Sequence, residues 1–216
     1  MKKSIFVFTA SVFTLVTIAS SEAQVKKDST SKSDTTQTGI STNTQQQDTS
    51  KLAVKSKIVG GAQMIPTNDI VVNTSKSKDH TTLVEAIQSA GLTDTLKAAG
   101  PFTVFAPTND AFAKLPAGTL DNLKKADNKE KLADVLEYHV VPGKLTSKDL
   151  ALAVARSKGN ATLTTVEGEN LTVSINAEKN LQITDAKGNV ALVTMFDVEQ
   201  SNGIVHVINN VLLPKE

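Results

Sequence analysis

Cysteine and tryptophan are absent from all 216 residues, and one tyrosine with seven phenylalanines brings the aromatic content to only 4%. Without cysteine there is no disulfide framework, no thiol nucleophile and no lipid-modified cysteine at a cleavage site. A domain of this composition must be held by its apolar core alone. An excess of one charge is missing too, with 23 Lys and Arg against 22 Asp and Glu. Nucleic-acid binders gain affinity by releasing phosphate counterions with clustered Lys and Arg, and anionic membranes select the same clusters. Neither class of partner fits a balanced chain. No Gly-rich loop leads into a helix with Lys-Ser or Lys-Thr, Gly60-Gly61 standing alone, and there is no Gly-x-Ser-x-Gly elbow. The three histidines, His80, His139 and His206, are never within four residues of one another, so metal-ligand spacing is lacking. No convergent acid–base pair is legible either. The expectation is a non-enzyme with no cofactor, no metal and no catalytic residue, leaving open only a site assembled from distant residues.

Long apolar runs are scarce, and the one present is at the start. Met1-Lys2-Lys3 is basic, Ile5 to Ala19 is apolar apart from Ser and Thr, and Ser21-Glu22-Ala23 fits a small-x-small cleavage site. Residues 1–23 therefore read as a secretory signal peptide rather than a membrane span. From Gln24 to about Lys57 the chain is Ser, Thr, Gln, Lys and Asp, which cannot bury enough surface to offset ordering entropy. Residues 24–57 read as a disordered linker, with Asp28-Ser29-Thr30 and Asp34-Thr35-Thr36 resembling bacterial O-glycosylation acceptors. Asn73, Asn160 and Asn170 head N-glycosylation triplets that matter only in a eukaryotic secretory pathway.

Residues 58–216 read as one domain. Thr82 with Glu85 forms a capping box, Leu83, Val84, Ile87 and Ala90 supply an apolar stripe, and Gly91 is placed as a C-cap. A second helix, Thr93 to Ala99, stops at Gly100-Pro101. Asp127 with Glu130 forms another capping box for a helix carrying Leu132, Val135 and Leu136. Ser147 caps a further helix with Leu150, Leu152 and Val154. The period then changes to two: Ala161 to Val166, Leu171 to Ile175, Leu181 to Thr184 and Val190 to Met195 alternate as strands, with hairpin turns between them. Helices first and a strand meander after make an α+β domain.

Two stretches organise this domain. Phe102 to Phe105 read as a strand; Pro107 ends its ladder, Thr108, Asn109 and Asp110 are good N-caps, and Phe112 lies on the helix that follows. Gly203 to Pro214 is apolar on both faces and reads as a buried strand around His206. With the Tyr138-His139 pair between them, these stretches resemble the fasciclin domain family over roughly Ile58 to Pro214. The resemblance implies a wedge-like β-sandwich of short, mostly antiparallel strands with helices packed along one side. It also implies an extracellular adhesion and interaction module, secreted, periplasmic or at the cell surface.

The interaction candidates are Asp197, Val198, Tyr138 and His139. In adhesion members of the family an Asp-Ile pair just before the closing motif is linked to integrin recognition; here the pair is Asp197-Val198, between a differing Phe196 and Glu199. The structural alternative has Asp197 capping a turn and Val198 filling the core. His139 reads as a neutral core histidine with Asp110 as its candidate hydrogen-bond partner, and Tyr138 as a core ring with its hydroxyl paired at the rim. The expected partner is a protein or glycan at the cell surface. A second reading is a small-molecule or glycan-binding module using a cleft beside Tyr138 and His139.

Overall fold

The computed structural model describes residues 56–98 and 100–215. The expected signal peptide, the linker up to residue 55 and its Asp-Ser-Thr and Asp-Thr-Thr sites lie outside the described residues. A hairpin of β1 (Lys57–Val59) and β2 (Ala62–Met64) opens this part. Helices α1 (Ile70–Thr74), α2 (Thr81–Ala90) and α3 (Thr93–Lys97) follow, and Gly91 ends α2 in the left-handed conformation, as its sequence position suggests. Strand β3 (Phe102–Pro107) enters α4 (Asn109–Ala113), where the Thr108 hydroxyl accepts from Ala111 N as N-cap. Next come α5 (Thr119–Leu123), α6 (Lys129–Tyr138), β4 (Val140–Pro142) and α7 (Ser147–Arg156). The chain finishes with β5 (Asn160–Thr164), β6 (Asn170–Ile175), β7 (Leu181–Thr184), β8 (Val190–Gln200) and β9 (Gly203–Ile208).

Seven strands form one sheet in the order β4-β3-β9-β8-β7-β6-β5. Every pairing is antiparallel except β3 with β9, which run parallel from Phe102 opposite Gly203 to Pro107 opposite Ile208. The two organising stretches are thus neighbours, and all six residues of β9 are buried. The sheet folds back on itself: Val166 N donates to Val140 O at 2.8 Å, so its two ends meet. Apolar side chains fill both sides. Val104, Ala106, Val205 and Val207 pack with α2 and α6 residues, while Phe105 and Ile208 pack with Tyr138, Leu150 and the inner faces of β6 and β7. Alternation along β3 is what splits the core, because successive strand side chains point to opposite faces.

Three helix starts differ from the sequence expectation. Neither Thr82-Glu85 nor Asp127-Glu130 forms a capping box; 3₁₀ turns at Lys78–His80 and Ala126–Asn128 lead directly into α2 and α6, leaving His80 and Asn128 at the cap positions without side-chain caps. Asn109 serves α2 instead, its Oδ1 accepting from Thr82 N at 3.0 Å while its Nδ2 donates to Lys78 O at 2.8 Å. The capping box that does form belongs to α7, and its N-cap is Thr146, paired with Asp149, rather than Ser147.

Candidate functional site

Strand β8 loses register with β9 twice, between Val193 and Met195 and again between Met195 and Val198. Asp197 sits in the second slip at φ 52°, a left-handed conformation that Asp tolerates better than most residues. The slip re-aims its side chain from the sheet towards α7. One carboxylate oxygen accepts from Ser147 N at 2.7 Å and the other from Ser147 Oγ at 2.5 Å. A negative charge is thereby held at the positive end of α7. Burial pulls the Asp197 carboxyl upward, but the two Ser147 bonds, with His206 and Lys57 nearby, outweigh it and hold the group below its ordinary range.

His206 completes this junction. Its Nε2–H donates to Leu145 O at 2.9 Å, which leaves Nδ1 as acceptor facing Asp197 N at 3.4 Å. The ring is fully buried, stacked on Phe105 at 5.8 Å and met edge-on by Phe196 at 6.4 Å. Desolvation lowers its pKa against the pull of Leu145 O and Asp197. Ser, His and Asp thus meet here without forming a nucleophile and base: the Ser147 hydroxyl donates to a carboxylate, and both His206 nitrogens face backbone partners. The junction fastens α7, β8 and β9 together. Asp197 acts as a helix cap, not a turn cap, while Val198 fills the core as its structural alternative held.

Tyr138 is wholly buried, its hydroxyl donating to Asn170 O at 3.0 Å and accepting from Ala186 N at 2.9 Å. Burial pushes that hydroxyl up to about 12. His139 ends α6; Nδ1–H donates to Val135 O at 2.7 Å and Nε2 accepts from Leu212 N at 3.0 Å. Desolvation lowers it to about 4. The expected Asp110–His139 bond does not form. Asp110 is exposed in the first turn of α4, and His139 finds both partners on buried backbone. His80 is buried as well, with Nδ1 on Ser77 Oγ at 2.9 Å and Nε2 without a hydrogen bond, facing the Ala106 backbone. Among the described residues no group of three or more His, Asp or Glu could hold a metal ion.

Burial corrects the interaction candidates. Tyr138, His139 and Val198 are 0%, 2% and 2% exposed, so none offers a side chain to a docking partner; of the four, Asp197 alone is within reach. The cavity lined by His139 is about 20 Å3, too small for a ligand. A groove of about 440 Å3 lies instead between α5, α6, the turns before β6 and β8, and the tail at Leu213–Lys215. Asp185 braces one wall from behind. Buried at 6% exposure, it accepts from Lys187 N, Asn189 N and Asn189 Nδ2 on the β7–β8 turn and from Leu213 N on the tail. An Asp opening the Asp185-Ala186-Lys187-Gly188-Asn189 turn was the available signal for the turn, though not for the tail. Asn73, the first glycosylation triplet, is buried and bonded to Ile65 O and Gln200 Oε1, which removes it as an acceptor in the folded chain.

The sheet carries a parallel pair between an early and a late strand, and buried histidines tie its strands to the helices beside it. The sequence profile of the Fasciclin domain matches residues 78–214. Protein sll1483 of Synechocystis is 42% identical over 160 residues, covering 74% of this chain and 81% of that protein. Transforming growth factor-beta-induced protein ig-h3 of Sus scrofa is 43% identical over 132 residues, 61% of this chain but 17% of that one. Among solved structures, a FAS1 domain pair from the insect cell adhesion molecule Fasciclin I superposes with a TM-score of 0.61 at 23% identity, over 69% of this chain and 52% of that one. The chain belongs to the fasciclin domain family.

Proposed function

We propose that this protein is an exported, non-enzymatic adhesion or protein-interaction module of the fasciclin type. The observation that carries this reading is the family match over residues 78–214. It is supported by the engagement of Ser147, Asp197, Tyr138, His139 and His206 within the fold, which leaves them no role in turnover. The likeness to a cell adhesion molecule gives the reading its direction. Export rests on the Met1 to Ala23 pattern, and the Ser- and Thr-rich residues between it and β1, which begins at Lys57 and so trims the expected linker, act as the tether. Docking runs across the surface beside Asp197, where Thr194 is exposed and Glu199 half-buried.

Beads coated with the protein should attach saturably to cells of the source organism, with attachment competed by soluble protein and lost on denaturation. Thr194→Arg with Glu199→Arg should reduce attachment at unchanged melting temperature. Attachment no greater than that of albumin-coated beads would overturn the adhesion reading. Recovery of the protein from the cytosol with Met1 to Ala23 intact would overturn export.

A further inference from the structure

The groove beside the tail combines an apolar floor with exposed lysines. Leu123, Val135 and Leu213 line the floor, and its volume of about 440 Å3 is in the range of small-molecule sites. Lys131 on α6 and Lys215 on the tail line it too, and among the described residues neither ammonium has an ion-pair partner. Of the lining carboxylates, Glu167 is turned to its own loop, where it accepts from Glu169 N at 3.1 Å, and Asp134 stands one turn from Lys131. The walls are held before any ligand arrives. Asp185 ties Leu213 N, and Glu169 Oε2 ties Lys215 N at 2.8 Å, while the Tyr138 hydroxyl joins the strands carrying both turns. Preorganised walls lower the ordering cost of binding.

We infer that this groove is a binding site for a small amphipathic carboxylate, whose apolar body lies on Leu123, Val135 and Leu213 and whose carboxylate lies between Lys131 and Lys215. The site is independent of the adhesion reading and uses a different face from Asp197. Asp134 opposes the ligand's charge, which fixes the sign of its substitution: removing it tightens binding, whereas removing either lysine weakens it.

Decanoate is the probe, with decanol and decylammonium as neutral and charge-reversed controls, titrated into the methyl-labelled full-length protein and followed by NMR. Decanoate should move the methyl resonances of Leu123, Val135 and Leu213 to saturation. Lys131→Gln and Lys215→Gln should each weaken it by up to about fivefold, the scale of one exposed charge pair, and Asp134→Asn should tighten it. Decylammonium should respond with opposite signs and decanol should not respond. All three positions are exposed, so melting temperatures should stay unchanged. Absence of shifts at these methyls, equal binding of decanol, or charge effects of the opposite sign would each overturn the assignment.

Discussion

His139 is held neutral by its surroundings, and that has a direction in pH. Unfolded, it regains a pKa of 6.5; folded, burial keeps the proton off until about 4. Between those values the unfolded chain takes up a proton that the folded chain refuses, so stability is full above 6.5 and falls as pH drops towards 4. The loss is roughly 3 kcal/mol at most, at about 1.4 kcal/mol per pKa unit. His80 and His206, also lowered by desolvation, add to the same slope. Denaturant midpoints from pH 8 to 4 should show this fall, and His139→Gln should be less stable at pH 7 but visibly flatter below it. A profile of unaltered slope in His139→Gln would contradict the assignment. Asp197 works in another window: its carboxyl is held below the ordinary 3.8, so its contribution is present above that value and disappears as pH falls through the lower folded one. Asp197→Ala should cost about 1 to 3 kcal/mol, the scale of a lost charged hydrogen bond. Asp197→Asn should cost less, because Asn also tolerates the left-handed backbone. Thermal melts of the pair decide this, and equal losses would remove the conformational part.

At the scale of elements, the β3–β9 pair depends on a residue without a side chain. A Cβ placed on Gly203 would stand 2.1 Å from Phe102 O, against backbone that cannot move without parting the two strands. Gly203→Ala should therefore destabilise by about 3 kcal/mol or more, at the upper end of overpacking effects, whereas Thr146→Ala at the α7 cap should cost about 1 kcal/mol. Urea melts of both variants test the ranking; a Gly203→Ala loss no larger than that of Thr146→Ala would mean that the strands adjust. The strands themselves were legible. Leu181 to Thr184 is the strand its alternation predicts, and the apolar run from Gly203 is buried on both faces as expected. The cap of α2 was not legible because its partner is far along the chain, Asn109 on Thr82 N; Asn202, which accepts from Ile70 N and donates to Leu96 O, is a contact of the same long-range kind. The expected strand ending at Met195 continues to Gln200 because the register slips keep it paired with β9, and a slip leaves no periodic trace. The same limit hid the groove, whose walls come from α6, two turns and the tail. His139 shows it for a single side chain: its environment was readable from Val140 and Val141, its partners were not.

For the molecule as a whole, the sheet's meeting ends leave β9 the best protected strand. It lies between β3 and β8 with every residue buried, so its amides should exchange slowest, while those of the two-stranded β1–β2 hairpin should exchange fastest among the strands. Hydrogen exchange read by mass spectrometry checks this order, and faster exchange in β9 than in β1 would contradict it. The parallel pair also joins residues about a hundred positions apart, a closure whose entropy must be met before the contacts repay it. A nascent chain that has emerged only as far as Gln200 has no partner for the inner edge of β3, and the two halves of its core have no shared wall. Truncation before Gly203 should accordingly leave nothing resistant to protease. Because β9 follows every other strand of this sheet in the chain yet lies inside it between β3 and β8, the strands made earlier wait for the one made last, and the order of synthesis becomes a clock for folding.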